Sequence, residues 1–361
     1  MKKIAIVISG MSSGGAENSV VNILEEFTKD NLVTIYILQN LNNEITVPEY
    51  SNLEICRLEA NSLKDLKIFL KLKSELKLYD LVIAQLLWAQ YWTGLIGLLD
   101  KSFRYKIVWV EHNEYKNRGY WQWLIIKILG RFTRKIIAVS DEVSLSFSQR
   151  TNLKTDVIYN AISVPKDCFM NLHINNTDSI NIALYGRLVP QKNPYLAINA
   201  FLKLDKKSDL LVQPKLQIIG GGSLEAELIK NFSTHENIEF LGGKDKSQAL
   251  LELSKSQIYL STSLYEGFPL ARFEALKLGL CVVSTRTAGY KFLLDFYKTD
   301  AKMRKLGIYF VDNSLIEITD ALKTLIHGNF WNTELINQRI ACTDSLLPKI
   351  IAQKFLLNLG V

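Results

Sequence analysis

Short, uninterrupted apolar runs alternate with longer segments of helical periodicity along the whole chain, and few folds accommodate that rhythm. The first run, Ile4-Ala5-Ile6-Val7-Ile8, has no polar side chain to face water, so it reads as a strand covered on both sides. Further strands are predicted at Val33–Gln39, Leu53–Leu58, Leu81–Leu86, Lys106–Val110, Lys135–Val139 and Val157–Tyr159. Helices are predicted at Ala16–Thr28, Ser62–Lys77, Trp88–Leu99 and Gly119–Phe132. Strands that alternate with helices in this way argue for a parallel sheet wrapped on both faces. Polarity then rises across Asn171–Ser179, the best linker candidate, and a second series begins. Its strands are expected at Ile180–Tyr185, Leu216–Ile219, Ile238–Phe240, Ile258–Ser261, Cys281–Ser284 and Gly307–Val311. Its helices are expected at Pro194–Leu204, Leu224–Asn231, Ser247–Lys255, Pro269–Leu278 and Ser314–His327. The expected organisation is therefore an N-terminal domain over 1–170 and a C-terminal domain over 178–340. Residues 341–361 carry a last helix at Pro348–Leu359, with a crossing back to the first domain left open. Two such α/β domains would face each other, and ligands in such sheets bind beyond the carboxyl ends of the strands.

Composition removes several classes. The chain has 361 residues, enough for two domains. At 48% hydrophobic and 22% charged it is too apolar to be disordered. Cys56, Cys168, Cys281 and Cys342 are scattered without Cys-x-x-Cys spacing, which argues against a disulfide framework or a zinc site and fits a reducing, cytoplasmic compartment. Lys2-Lys3 followed by five apolar residues suits a buried strand better than a signal peptide. Leu81–Leu99 carries no charge over a length that could cross a bilayer, but Gln85, Gln90 and Thr93 interrupt it, and it divides into a strand and an amphipathic helix. The net charge of +7 is mild, so its placement matters more than its size.

Three segments carry chemistry. The first strand runs into Gly10-Met11-Ser12-Ser13-Gly14-Gly15-Ala16-Glu17. A glycine-rich turn into a helix lets the backbone approach a phosphate, and the helix start offers free N–H groups; a tight strand-to-helix turn is the plainer reading. It is neither Gly-x-Gly-x-x-Gly nor a P-loop, which argues against a nicotinamide-dependent dehydrogenase. The second domain opens with Tyr185-Gly186-Arg187 and, five residues on, Lys192. A forked guanidinium and a point-charge ammonium at one strand end suit a pyrophosphate, where elsewhere they would be a solvated basic loop. The densest segment runs from Ser261 to Ala275 and holds Glu266 and Glu274 eight residues apart. Gly267 and Pro269 shape the entry to the helix between them, whose start again offers N–H groups to an anion. His112 stands directly after a strand.

Gly14-Gly15-Ala16-Glu17, Gly186-Arg187 with Lys192, Gly220 with Leu224, and Glu266-Gly267-Phe268 with Glu274, in this order, resemble glycosyltransferase family 4. The resemblance spans nearly the whole chain, is strongest from Ile180 to Val283, and is closest to the bacterial group that builds lipid-linked oligosaccharides, O-antigen and capsule. It implies an α/β, GT-B fold, two Rossmann-like domains with parallel sheets facing a central cleft. It further implies a retaining transferase that moves a hexosyl or N-acetylhexosaminyl group from a nucleotide-diphosphate sugar, a UDP-sugar favoured. On that resemblance Arg187 and Lys192 hold the donor diphosphate and Glu274 the ribose, while Glu266 contacts hydroxyls of the sugar. Backbone amides near Phe268, Pro269, Leu270 and Ala271 meet the phosphates, Gly14 and Gly15 approach them from the other domain, and Gly242-Gly243-Lys244 lies near the nucleobase. His112 falls where the family often has a histidine close to the reacting centre. Two departures stand out: Thr287-Ala288-Gly289-Tyr290-Lys291 lacks an acid that many relatives carry there, and Arg272 stands where an apolar residue is common.

The charge to be stabilised is that of the leaving nucleotide, and Arg187, Lys192 and the helix start at Pro269 can take it without a metal or cofactor. The chain also lacks the Asp-x-Asp of metal-binding transferases. On the acceptor side, Lys127, Arg131, Arg134 and Lys135 fall at about 100° per residue on one face with Tyr120 and Trp123, and Ile125, Ile128, Leu129 and Phe132 on another. Lys64, Lys67 and Lys71 line a second helix. Basic residues with aromatics suit an anionic lipid surface, where ordinary solvated faces are the alternative. The expected partners are thus a nucleotide sugar, a lipid-linked saccharide or lipopolysaccharide acceptor, and the inner face of the cytoplasmic membrane; no nucleic-acid module is visible. The competing readings are a nucleotide-sugar epimerase on the same scaffold and a non-catalytic nucleotide-sugar-binding protein.

Overall fold

The computed structural model describes residues 1–12, 14–40, 45–58, 62–112, 119–171, 180–204 and 213–360. They form two compact units, Met1–Ala161 with Leu346–Val361, and Ile162–Ser345. The division thus falls before the expected boundary at 170, and most of the polar linker candidate, 172–179, lies outside the described residues.

Unit 1 runs β1 (Lys2–Ile8), α1 (Gly15–Asp30), β2 (Asn31–Ile37), β3 (Leu53–Arg57), α2 (Leu66–Glu75), β4 (Leu81–Gln85), α3 (Leu87–Leu99), β5 (Ile107–Glu111), α4 (Tyr120–Leu129), β6 (Lys135–Ala138), α5 (Asp141–Thr151) and β7 (Asp156–Val157). All neighbouring strands pair parallel, in the order β3-β2-β1-β4-β5-β6-β7. Ile4 through Ile8 are fully buried, as an apolar central strand with helices on both faces must be.

Unit 2 runs β8 (Ile180–Tyr185), α6 (Pro194–Leu202), β9 (Pro214–Ile219), α7 (Glu225–Phe232), β10 (Ile238–Gly242), α8 (Lys246–Leu253), β11 (Ile258–Ser261), α9 (Leu270–Lys277), β12 (Cys281–Thr285), α10 (Tyr290–Tyr297), α11 (Asp300–Lys305), β13 (Ile308–Val311), α12 (Leu315–His327) and α13 (Thr333–Ala341). Its parallel sheet has the order β10-β9-β8-β11-β12-β13. The last helix, α14 (Pro348–Leu359), belongs to unit 1. There Phe355 packs edge-on against Phe27 of α1, with ring centroids 6.3 Å apart, and Lys135 Nζ donates to the Asn358 carbonyl at 3.0 Å.

Both sheets share one logic. The chain winds outward from the first strand, then returns to its other side, so the connections diverge between β1 and β4 and between β8 and β11. That divergence opens a crevice at the carboxyl ends, where ligands of such sheets bind.

Helix α5 was not anticipated. Its serines at 144, 146 and 148 hide the period, yet Ser140 Oγ accepts the Val143 N–H at 3.1 Å and starts it, and Phe147 buries beneath it. The uncharged stretch from 81 to 99 resolves into β4 and α3, and among the described residues no helix is long and apolar enough to cross a membrane.

Candidate functional site

In unit 2 the ends of three strands are laced together by their backbones. Gly186 N–H donates to Ile219 O at 3.0 Å, Leu188 N–H to Gly221 O at 2.9 Å, and Gly220 N–H to Gly242 O at 3.0 Å. Gly220 has φ of +138°, and a Cβ there would stand 2.1 Å from Gly186 O, so no other residue fits. This close approach places Gly186, Arg187 and the Gly242-Gly243 turn along one edge.

Across the β8/β11 divergence, the Pro190–Lys192 turn is tied to the loop after β11. Thr262 Oγ1 donates to the Asn193 carbonyl at 2.8 Å, Gln191 Nε2 to Tyr265 O at 2.8 Å, and Leu264 N–H to Gln191 O at 2.9 Å. These bonds hold Lys192 Nζ 2.5 Å from Glu266 Oε1. Glu266 is 7% exposed. Burial alone would raise its carboxyl, but the Lys192 ammonium, with help from the Ser263 hydroxyl and the Arg272 charge, holds it below the usual carboxylate range. Arg187 is exposed and shares with Lys192 a small cavity whose other walls include Tyr185, Gly186, Ser261 and Ser263.

Gly267 and Phe268 lead to Pro269, the N-cap of α9, which has no side-chain cap of its own. Phe268 stacks on Phe273 at 4.5 Å between centroids, seating Leu270 and Ala271 in the first turn. Glu274, one turn further and 2% exposed, pairs with Lys246 Nζ at 3.2 Å. Beside it, burial and the Glu274 carboxylate push the Tyr185 phenol well above its ordinary range. So the structure brings Gly186, Arg187 and Lys192 to one cavity and Glu266 to Lys192, while the 267–271 helix entry, Gly243 and Glu274 lie in the same unit but do not line that cavity. Lys244 is exposed at the rim.

Lys246 and Tyr185 were missed by sequence reasoning. A signal existed for Lys246, because a lysine in the first turn of a helix opposes the macrodipole and asks for a reason. Arg272, the unexpected arginine, is fully buried. Its guanidinium donates to Ala288 O at 2.9 Å, Ser284 Oγ at 2.8 Å and Thr287 Oγ1 at 2.6 Å, and lies 5.0 Å over the Phe310 ring. It therefore ties α9 to the segment that lacks the expected acid.

The remaining candidates lie in unit 1. Gly14 is the N-cap of α1, and the Glu17 carboxylate folds back to where a Gly14 Cβ would be, with Ser12 Oγ donating to Glu17 Oε1 at 2.8 Å. Gly15 is open, since a Cβ there would touch nothing within 4 Å. His112 follows β5, is 8% exposed and lies 2.7 Å from Gln85 Oε1 through Nε2.

The surface expected around α4 needs correction. Trp123 does not face outward; it is 6% exposed and meets Phe147 of α5 edge-on at 5.8 Å. The unanticipated α5 covers the face assigned to solvent, so the helix is turned and Ile125 and Ile128 point outward instead, 38% and 44% exposed. Tyr120 and Trp121 are exposed with them, Arg131 is exposed and Lys127 half-buried. Helix α4 also ends at Leu129, so Arg134 and Lys135 do not continue its face. Arg134 is exposed, whereas Lys135 starts β6 and pairs with Asp156 at 2.9 Å.

Two family models match the chain. The model "Glycosyltransferase Family 4" matches residues 13–165, and "Glycosyl transferases group 1" matches 170–338. An α-1,4-N-acetyl-D-galactosaminyltransferase of Campylobacter jejuni, named for a diphospho-undecaprenol-linked acceptor, is 25% identical over 95% of this chain and 94% of its own. The Escherichia coli O-antigen biosynthesis glycosyltransferase WclY is 23% identical over 81% of this chain and 82% of its own. Among solved structures, Anabaena HepE with UDP and glucose superposes with a TM-score of 0.77 at 16% identity, covering 100% of both chains. WaaG, a glycosyltransferase involved in lipopolysaccharide biosynthesis, gives 0.68 at 12% identity over 97% of this chain and 99% of its own.

Proposed function

The chain belongs to the glycosyltransferases of the GT-B fold, and we propose that it moves a sugar from a UDP-sugar to a hydroxyl of a lipid-linked saccharide or lipopolysaccharide acceptor, retaining anomeric configuration. The observation that supports the donor side is that Arg187 and Lys192 line one cavity at the β8/β11 divergence, where Lys192 also pairs with Glu266 of the loop that leads into α9. As the anomeric bond breaks, negative charge grows on the departing diphosphate. Lys192, placed by the bonds that tie 191–193 to 262–265, and Arg187 beside it offer two cations to that charge, with the start of α9 following the same loop. They need no metal or other cofactor to do so. Glu266, kept ionised by Lys192, accepts hydrogen bonds from sugar hydroxyls, and Glu274 does the same for the ribose. His112 serves beside the reacting centre.

UDP as the nucleotude half is supported by the UDP bound to HepE, and a hexosyl or N-acetylhexosaminyl group by the Campylobacter relative's name. The acceptor class rests on the names of that relative and of WclY. The exposed Tyr120, Trp121, Ile125 and Ile128 beside Arg131, and the exposed Leu66 and Leu70 beside Lys67 and Lys71, support a peripheral contact with anionic lipid.

A thermal-shift panel of nucleotide sugars tests the reading, followed by UDP release from the best ligand. At a hundred times its dissociation constant a native-state ligand adds about 2.7 kcal/mol of stability. Failure of every nucleotide sugar to stabilise the protein would refute the donor site. Conversion of donor to its epimer without acceptor would instead establish the epimerase. Activity that vanishes in chelator and returns with magnesium would refute the metal-free scheme.

A further inference from the structure

Strand β4 ends on a glutamine where every other residue, Leu81 to Ala84, is apolar and buried. Gln85 lies in register between Ile8 of β1 and Val110 of β5, and is 3% exposed. A buried amide there costs desolvation unless it is bonded. Its partner is the His112 ring, across β5 from it, with Nε2 2.7 Å from Oε1. The residue after it is equally unusual: Leu86 has φ of 70° and ψ of 163°, a region that bulky L-residues rarely enter. That conformation turns the chain into α3 immediately, leaving Gln85 at the carboxyl edge of the β1/β4 divergence. The first turn of α3 is then tied to β5, the strand that leads into the histidine, since Gln90 Nε2 donates to Val110 O at 3.0 Å.

We propose that Gln85 is the positioning residue for His112, fixing the plane and tautomer of its imidazole for the sugar-transfer reaction. The inference rests on the reading of His112 as a group at the reacting centre. With Oε1 accepting, Nε2 carries the hydrogen. An amide also differs from a carboxylate in one respect that matters: it orients the ring without stabilising an imidazolium. A glutamate in the same place would orient it and hold it protonated to higher pH, because an opposite charge at contact favours the charged form.

The test uses the isosteric variant Gln85→Glu, with Gln85→Asn as a shorter amide, in the full-length protein. The chain has only four histidines. Nitrogen-15 spectra of the side chains, assigned with His112→Gln, therefore report its tautomer and titration without any assay of activity. The native ring should show a protonated Nε2. Gln85→Glu should move the His112 titration upward by about one pH unit or more. The limb of the kcat/KM pH profile that belongs to His112 should move with it, while Gln85→Asn keeps the native profile at reduced kcat. An unmoved His112 titration in Gln85→Glu would overturn the positioning role. A titration that moves while the pH profile stays fixed would overturn the catalytic reading of His112 and leave the contact itself standing.

Discussion

Replacing Lys192 by methionine separates what this lysine does for the fold from what it does for the reaction. Its ammonium is the partner of a carboxylate that is 7% exposed, at 2.5 Å. Removing one member of a buried pair leaves the other charge uncompensated, which costs about 3–5 kcal/mol when both are fully buried. The Lys192 side chain is 24% exposed, so water can reach the gap, and the Ser263 and Arg272 contributions to Glu266 remain. A loss of about 2–3 kcal/mol is therefore expected, read as a drop in the melting temperature. The pH dependence has a definite sign. In the native protein the folded carboxyl is depressed, so Glu266 contributes stability above its unfolded value of 4.5, and that stability is lost as pH falls through the folded value. In Lys192→Met burial prevails, the folded value rises above the unfolded one, and the penalty shrinks as pH falls through it. The difference between the two proteins should thus be larger at pH 8 than near pH 4. Adding Glu266→Gln to Lys192→Met removes the orphaned charge and should restore most of the stability. UDP release should not recover, because loss of one fixed donor to the leaving group costs about 10²–10³ in rate. A double variant that regains both stability and turnover would refute the claim that Lys192 acts on the leaving diphosphate.

Three further outcomes are expected. Lys246→Ala frees the Glu274 carboxylate from its 3.2 Å partner, and affinity for UDP measured by calorimetry should change severalfold while the affinity for an uncharged sugar does not; an unaltered UDP affinity would place Lys246 outside the donor site. Trp123→Ala should cost about 3–5 kcal/mol in a urea titration because it empties a core position, whereas Trp121→Ala, 72% exposed, should leave stability within about 0.5 kcal/mol and reduce co-sedimentation with anionic vesicles. Burial pushes the Cys281 and Cys342 thiols up to about 12, so these two should react with a thiol reagent only on unfolding, while the partly exposed Cys56 reacts in the native protein.

Where one residue type had a single structural explanation, the sequence was sufficient. Ile4–Ile8 could only be a covered strand, and Gly186, Arg187 and Lys192 fell at the end of β8 because short apolar runs end where glycine permits a close turn. Where the outcome depended on a neighbour, the sequence was silent. Trp123 was assigned to the surface because α5, whose serines mask its period, was not recognised, and α5 is what buries the indole against Phe147. Extrapolating helical phase to Arg134 and Lys135 failed for a local reason: α4 ends at Leu129, before either of them. Arg272 looked like an anomaly because its acceptors, Ser284, Thr287 and Ala288, are brought to it by β12 and the turn after it rather than by its own helix. Gln85 stood out only as a polar break in the uncharged 81–99 stretch, because its partner His112 is brought to it by the neighbouring strand.

The strand order explains why the charged and the neutral polar groups are found where they are. Connections diverge beside the first strand of each sheet, so the carboxyl ends there are left without a crossing helix. In unit 2 that position is filled by Lys192 and Glu266, with Lys246 and Glu274 beside them, two ion pairs that are each held between elements rather than within one. Paired in this way the four charges cancel, leaving Arg187 and Lys244 as the excess cations, and under the proposed function a diphosphate would compete with Glu266 for Lys192. In unit 1 the same position holds Gln85 and His112, with an amide rather than a carboxylate against the ring. A carboxylate in place of Gln85 would set an opposite charge against the ring and favour its imidazolium, which is the difference the Gln85→Glu variant reads.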